Sequence, residues 1–191
     1  MSDTPAVTGD STRSASRRAQ ILEAAADCFR NHGFHGASIA QISKAASMSP
    51  GHIYHYFNNK EAIIEAIVAL DLEHIKALNE SLLASSNVLQ ALLDRAEAGV
   101  TECLDPRTAS LKLEILAEAA RNPQVANIVQ ESDKQCIGYL NTTVRTVREA
   151  CNHEDSAEHI EGLCELIAAL FEGLTIRAIR NPNLNTQQVT E

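Results

Sequence analysis

The chain has 191 residues, of which 45% are hydrophobic and 21% charged, and its formal net charge is −9. This length can bury a sizeable core, and the composition is ordinary for a soluble globular protein. The first eighteen residues lack the apolar stretch of a secretory signal, and the longest later apolar run, LIAALF at 166–171, is too short to span a membrane. We therefore expect a cytoplasmic protein without a membrane partner.

The charge is divided unevenly along the chain. Residues 1–60 carry six Lys/Arg and four Asp/Glu, a net +2, whereas residues 61–191 carry ten and twenty-one, a net −11. The first 60 residues are therefore mildly basic and the rest of the chain is acidic. Because the charge is distributed in this way, the negative net charge does not argue against a nucleic-acid partner for the N-terminal part.

The N-terminal residues predict a polar tail followed by a helix. Residues 1–14 are rich in Ser, Thr, Asp and Pro and have no apolar periodicity, which predicts disorder. Apolar residues then recur at helical spacing and predict a first helix at about 16–32. Gly33 stands where a left-handed helix cap belongs.

Two short helices are predicted next, at about 39–46 and 50–56. Ser38, with Gln41 three residues later, has the pattern of a capping box at the start of the first one. Ser49 suits the cap of the second, and Pro50 suits its first position. Two short helices joined by a tight turn and braced by a longer helix form a helix-turn-helix arrangement.

The rest of the chain predicts further helices and no strand. Asn58, with Glu61 three residues later, has the pattern of a cap for a long fourth helix. Helices are predicted at about 60–84, 87–104, 107–121, 123–151 and 156–180. Because no alternating run of strand length is present, the fold class is predicted to be all-α.

The stretch SPGHIYHYFNNK, residues 49–60, predicts a helix with two different faces. His52, His55 and Tyr56 share one face, where imidazole and phenol groups can donate to bases or phosphates. Ile53 and Phe57 point to the opposite side and form an apolar pair. This division is typical of a recognition helix, which reads DNA with one face and is anchored by the other.

The run ILEAAADCFRNHGFHGASIAQISKAASMSPGHIYHYFNNKEAIIEAIV resembles the DNA-binding domain of the TetR family of bacterial transcriptional regulators. It has an ILEAA…F…G first helix, a serine before the second helix, a G-x-x-Y-x-x-F recognition helix and a lysine soon after the phenylalanine. The segment EILAEAARNPQVA, residues 114–126, resembles the AcrR/BetI-like branch of that family.

This resemblance implies a homodimer whose third helices enter the major groove of a pseudo-palindromic operator in double-stranded DNA. Ser38 and Lys60 are then expected to contact phosphate. His52 occupies a position of the recognition helix at which the family more commonly has Thr or Ser. The full set of expected DNA contacts is Ser38, Ser49, Gly51, His52, Tyr54, His55, Tyr56 and Lys60. The implied organisation is a disordered tail at 1–14, a helix-turn-helix domain at 15–60, a helical ligand-binding and dimerisation domain at 61–181 and a C-terminal tail at 182–191.

The last two long helices are apolar over more than one face, so each needs burial on two sides. A homodimer would supply the second side, and the alternative is a thick core within one chain. The expected dimer interface is Val144, Val147, Ile160, Leu163, Ile167, Leu170 and Leu174. The resemblance also implies a small-molecule pocket among the helices after the fourth, and a carboxylate inside it favours a cationic effector. The expected pocket residues are Glu114, Glu118, Cys136, Tyr139 and Phe171.

The predicted function is a ligand-responsive repressor that a small-molecule effector releases from its operator, with no cofactor and no enzyme activity. Two alternatives remain open. One is a thiol- or metal-responsive regulator that uses Cys103, Cys136 or Cys151, although the five cysteines form no C-x-x-C pair and no set of metal ligands has the usual spacing. The other is a helix-turn-helix protein with an architectural or partner-binding role.

Overall fold

The structure is a computed structural model that describes residues 8–190. Over this range the chain forms nine α-helices and no strand, which confirms the predicted all-α class. The helices are α1 (Thr8–Gly36), α2 (Ile39–Ala45), α3 (Pro50–Tyr56), α4 (Lys60–Leu83), α5 (Val88–Cys103), α6 (Pro106–Ala119), α7 (Pro123–Ala150), α8 (Ala157–Arg180) and α9 (Thr186–Thr190).

The ends of the chain differ from the predicted boundaries. Residues 1–7 of the expected tail lie outside the described residues, but 8–14 belong to α1, which begins about two turns earlier than predicted. These first turns are polar, so the spacing of apolar residues could not predict them. Buried residues later in α1 stabilise the helix, and the polar turns extend it. The predicted C-terminal tail contains the short helix α9.

Gly33 interrupts the helical conformation of α1 at the position where a helix cap is predicted. The helix nevertheless continues beyond it to Gly36. Gly33 has a φ of 70° and a ψ of 166°, which are not helical and produce a kink near the end of the helix. Glycine adopts this backbone conformation without the steric cost that a Cβ would add.

The chain divides into two compact units, Met1–Ile67 and Val68–Glu191. The boundary lies inside α4, later than the predicted boundary at residue 60, because the first turns of α4 belong to the N-terminal unit. Ile63, Ile64 and Ala66 of these turns are buried.

The N-terminal unit has a continuous apolar core. Buried apolar residues recur along α1 and the first turns of α4, whereas α2 and α3 each contain one, Ile42 and Ile53. The buried residues of this core include Ile21, Leu22, Ala25, Phe29, Phe34, Ile42, Ala46, Ile53, Phe57, Ile63 and Ile64.

In the C-terminal unit, α5–α8 pack around a second core. Val144, Ile160 and Cys164 are its buried centre at the α7–α8 contact, and Ile137, Leu140, Leu163 and Ile167 pack against them. None of the helices described between Thr8 and Thr190 is long and apolar enough to cross a membrane.

Candidate nucleic-acid interface

The helix α3 is fixed at both of its ends. The Ser49 hydroxyl accepts a hydrogen bond from the His52 backbone N–H at 3.3 Å, and Pro50 occupies the first turn, where no N–H is needed. At the other end, the Phe57 N–H donates to the Ile53 carbonyl at 3.0 Å. The predicted bounds and cap of this helix are therefore confirmed.

The two faces of α3 are divided as predicted. Ile53 is fully buried and Phe57 nearly so, whereas His52, Tyr54 and His55 are exposed. Tyr54 is 53% exposed, which is unusual for an aromatic side chain within a folded unit. Burial of one face leaves the other free to contact a partner.

His52, His55 and Tyr56 form a cluster of rings on the exposed side of α3. The ring centroids of His52 and Tyr56 lie 5.5 Å apart, and those of His55 and Tyr56 lie 5.2 Å apart with an edge-to-face orientation. Edge-to-face packing restrains the rings, so the polar atoms of the cluster are held as a group.

Gly51 lies in the first turn of α3 and is exposed. A Cβ added here would meet no other atom within 4 Å, so packing inside the chain gives no reason for a glycine. The backbone of this turn is therefore open on that side.

The turn between α2 and α3 is sharp and well hydrogen-bonded. Ser47 adopts the left-handed conformation, with φ of 53°. The N–H groups of Ser47 and Met48 donate to the carbonyls of Lys44 and Ser43 at 3.1 and 2.8 Å, which is the pattern of a Schellman cap. This turn sets the angle between the two helices.

Two side chains of α1 brace this turn and the end of α3. The Gln20 amide donates to the Ala46 carbonyl at 2.9 Å, and the Arg18 guanidinium lies 5.2 Å from the centroid of the Phe57 ring. Sequence patterns did not reveal either contact, because each joins residues more than twenty positions apart.

The start of α2 carries the predicted capping box. The Ser38 hydroxyl accepts from the Gln41 N–H at 3.2 Å, and the Gln41 side-chain oxygen accepts from the Ser38 N–H at 2.8 Å. Ser38 is exposed, in keeping with its expected place near a phosphate. The predicted cap of α4 is displaced by one residue, because the side chain of Asn59 rather than Asn58 accepts from the Ala62 N–H, at 2.8 Å.

The Lys60 side chain, which is expected to contact phosphate, has its partners within the unit. Its ammonium donates to the carbonyls of Phe34 and Ala37 at 2.5 and 3.0 Å and lies 4.3 Å from the centroid of the Phe34 ring. Carbonyl oxygens and an aromatic face stabilise this cation within the protein.

Comparison with known proteins identifies both parts of the chain. Residues 21–67 match the model of bacterial regulatory proteins of the tetR family, and residues 89–191 match that of the BetI-type transcriptional repressor C-terminal domain. Together the two models account for most of the chain.

The chain belongs to the TetR family of bacterial regulatory proteins. It is 31% identical over 138 residues to the transcriptional regulator UidR of Escherichia coli K12, covering 72% of this chain and 69% of UidR. It is 30% identical over 177 residues to the regulator BetI of Yersinia pestis, covering 90% and 86% of the two chains. The solved structure of Salmonella enterica GusR shares 30% identity and a TM-score of 0.75, over 97% of this chain and 95% of that one. The chain is therefore a DNA-binding transcriptional regulator with a helix-turn-helix domain.

In the helical domain of this TetR-family protein, Glu118 has a different environment from the one expected of a pocket residue. It is 1% exposed, and its carboxylate accepts from Arg121 Nε at 3.4 Å and from the Asn122 side-chain amide at 3.0 Å. Asn122 also caps α7 by accepting from the Gln124 N–H. Glu118 thus stabilises the junction between α6 and α7, because a buried carboxylate needs such partners.

The other expected pocket residues are dispersed among partly buried positions. Glu114, Cys136 and Tyr139 are half-buried, and a ring carbon of Phe171 lies 2.8 Å from the position of a Cβ added to Gly99. Two open clefts lie between α7 and α8, of about 620 and 230 Å³, and none of the five expected pocket residues lines either of them. The larger cleft is lined by Lys134, Ile137, Gly138, Asn141, Glu158, Glu161, Gly162 and Glu165.

Three of the expected dimer residues are buried inside their own chain. Val144, Val147 and Ile160 are each less than 8% exposed, and Leu163, Ile167 and Leu174 are half-buried. Leu170 is 63% exposed, as an interface residue should be. Leu166, which the prediction omitted, is 61% exposed one turn before it.

Among the cysteines considered for a thiol-responsive site, Cys136 is half-buried, Cys103 is also half-buried and Cys151 is exposed. Burial, followed by the nearby Asp71 and Asp133 carboxylates, raises the pKa of Cys136 and so lowers its thiolate fraction at neutral pH. Burial likewise raises the pKa of Cys28 and of Cys164. Within residues 8–190, no group of three or more His, Cys, Asp or Glu side chains could hold a metal ion.

Proposed function

We propose that this protein is a ligand-responsive transcriptional repressor that binds a pseudo-palindromic operator as a homodimer and is released by a small molecule. The observation that carries the proposal is the two-faced α3, capped by Ser49, anchored by Ile53 and Phe57, and exposed along its polar and aromatic side. A regulator that acts on chromosomal DNA of a bacterium works in the cytoplasm.

Base and backbone contacts are assigned to different parts of α3 and α2. His52 and His55 carry donors that reach base acceptors, since side chains near the start of a recognition helix contact base edges. Tyr54 and Ser38 are exposed hydroxyl groups suited to phosphate oxygens. Gly51 and Ser49 lie where the sugar-phosphate backbone approaches the helix start, and Tyr56 orients both histidines through ring contacts.

The dimer is proposed to form on the exposed face of α8. Leu166 and Leu170 lie one turn apart and are both exposed, whereas Ile160 and Cys164 of the same helix are buried. A large apolar face that a single chain leaves in water is typical of a subunit interface. Leu163, Ile167 and Leu174 are half-buried at its border.

The effector is proposed to bind among the helices of the C-terminal unit and to act through α4. That helix is continuous from Lys60 to Leu83, and its first turns belong to the N-terminal unit. A shift of α4 therefore changes the position of α3, and a coupling of about 1–3 kcal/mol changes operator affinity roughly 5- to 150-fold.

Transcription in vitro tests this proposal. The template carries a promoter that overlaps a site recovered from the organism's own DNA by the purified protein. The proposal predicts that the protein lowers transcript yield and that one compound of a metabolite library restores it. In the absence of the protein, the same compound should not change the activity of the polymerase. Unchanged or increased transcription at saturating protein contradicts the proposed repression. Repression that no compound relieves contradicts the proposed release by a small molecule.

A further inference from the structure

The ammonium of Lys60 is held by the last turn of α1 and by Ala37, which lies between α1 and the α2 cap residue Ser38. Its donors reach the carbonyls of Phe34 and Ala37, and the Phe34 ring covers it at 4.3 Å. Phe34 and Ala37 are themselves buried, at 3% and 0% exposure, so the carbonyls belong to a fixed part of the core.

The electrostatic environment explains why this contact is favourable. Lys60 is the first residue of α4, and a cation is disfavoured at the positive end of a helix. The Phe34 and Ala37 carbonyls lie after the break in the helix at Gly33, and both accept from the ammonium, so their dipoles stabilise the cation. The lysine therefore joins the start of α4 to the connection between α1 and α2.

The peptide bond between Ala37 and Ser38 is fixed from both sides. Its carbonyl accepts from the Lys60 ammonium at 3.0 Å, and its N–H donates to the Gln41 side chain at 2.8 Å. This peptide bond begins the cap of α2, so its orientation determines where the Ser38 hydroxyl lies.

We propose that Lys60 is a positioning residue for operator binding, which holds the Ala37–Ser38 peptide so that Ser38 and the start of α2 meet the DNA backbone. Its ammonium is held by two backbone carbonyls inside the protein and does not replace a counterion on a phosphate. The inference rests on the proposed operator binding.

Operator affinity measured over a range of salt concentrations separates positioning from direct contact. Loss of one phosphate contact lowers the magnitude of the slope of log K against log salt by about 0.9, and the substitution removes one contact from each of the two subunits, so a direct contact predicts a slope lowered by about 1.8. For Lys60→Met we expect affinity to fall roughly ten-fold or more, because two charge-assisted hydrogen bonds are lost in each subunit, while the slope stays that of the wild type. A slope reduced by about 1.8 overturns the inference.

Lys60→Arg provides a second variant that keeps the charge. Arginine binds phosphate at least as well as lysine, so a direct contact predicts retained affinity. Positioning predicts a loss, because the planar guanidinium does not fit the site that the compact ammonium occupies between the two carbonyls. Retained affinity in Lys60→Arg would therefore count against positioning, even if Lys60→Met failed to fold.

A double-mutant cycle tests whether Lys60 acts through Ser38 or only supports the fold. Ser38→Ala should lose less affinity in the Lys60→Met background than in the wild type, since Ser38 is already misplaced there. Additive losses mean a general structural role and overturn the inference. The matched control is Lys44→Met, which removes an exposed lysine from the same two-helix motif and should be additive with Lys60→Met.

The outcomes distinguish this inference from the proposed function. A wild-type protein with no preferred DNA site overturns both. Specific wild-type binding, combined with a reduced slope, retained affinity in Lys60→Arg or additivity with Ser38→Ala, overturns the role of Lys60 alone.

Discussion

His52 is the residue on which operator preference is expected to depend most. It is exposed in the first half of α3, and its ring contacts that of Tyr56. His52→Ala should change the preferred base at symmetry-related positions of the two half-sites, since one good base contact discriminates by about 1–3 kcal/mol. Selection from a randomised operator library checks this, and an unchanged consensus would exclude His52 from base reading.

Tyr54→Phe serves as the comparison for that experiment. It removes one exposed hydroxyl group and leaves the buried side of α3 intact. Because a phosphate contact carries no sequence information, we expect weaker binding to every site and an unaltered consensus. A changed consensus in this variant would assign Tyr54 to the bases instead.

Asp155 gives the fold a defined pH dependence. Arg148 donates to its two carboxylate oxygens at 2.7 and 2.8 Å, and this hydrogen bonding holds the pKa of Asp155 below its ordinary value. A depressed pKa means that the stabilisation is fully present above the ordinary value of about 3.9 and is lost as pH falls through the lower, folded-state value.

Thermal unfolding of the wild type and of Asp155→Asn between pH 7 and pH 2 measures this contribution. The wild type should melt at the higher temperature at neutral pH, and the difference should shrink only below about pH 4. A difference that is constant down to pH 2 would mean that the ionised carboxylate is not responsible.

Residue roles could be predicted from the sequence where they depend on local spacing. The caps Ser38 and Ser49 and the buried pair Ile53 and Phe57 follow from helical periodicity alone, and the structure has them as predicted. The place of Lys60 could not be predicted in this way, because its two carbonyl partners lie 23 and 26 residues earlier.

Among the elements, α5 and α8 are in unusually close contact at Gly99. A Cβ added to this buried glycine would lie 2.8 Å from Cε1 of Phe171. Helix propensity alone predicts that Gly99→Ala stabilises the protein by about 1 kcal/mol. We expect the opposite, a loss of about 1–3 kcal/mol, because overpacking a filled contact forces side chains and backbone to shift.

Urea unfolding of Gly99→Ala, Phe171→Leu and the double variant tests this packing. The smaller leucine should relieve the contact, so that the double variant is less destabilised than the sum of the single changes. Strict additivity, or a stabilised Gly99→Ala protein, would show that the two helices can separate without cost.

Helix positions were more predictable than the faces that the helices bury. Turn and cap residues mark the bounds of α2 to α8 to within a few positions. When a helix is apolar on more than one face, its sequence does not show which face packs inside the same chain. Val144 and Ile160 are buried within the chain, while Leu166 is exposed. Which of these residues are buried depends on how α7 and α8 pack against neighbouring helices. The spacing of residues along one helix holds no information about that packing.

For the whole molecule, the exposed face of α8 determines the proposed assembly. Replacing Leu166 and Leu170 with aspartate places two charges in the proposed interface and should convert the dimer into a monomer. Specific operator affinity should fall with it, since one chain holds only one half-site. Sedimentation equilibrium measures the first effect, and anisotropy titration measures the second.

Leu93→Asp is the matched control for this experiment. Leu93 is 56% exposed on α5, so the change introduces a charge at a comparably exposed leucine outside α8. It should leave the assembly unchanged. A monomer produced by Leu93→Asp, or a dimer that survives both changes in α8, would place the interface elsewhere.

The most direct test of the central claim is genomic site selection with the purified wild-type protein, followed by titration of the recovered duplex at several salt concentrations. The account predicts a palindromic consensus with half-site centres about 34–36 Å apart, bound by two chains, with affinity that falls steeply as salt rises. Recovery of no enriched sequence, with weak binding that salt abolishes, would contradict an operator-binding regulator.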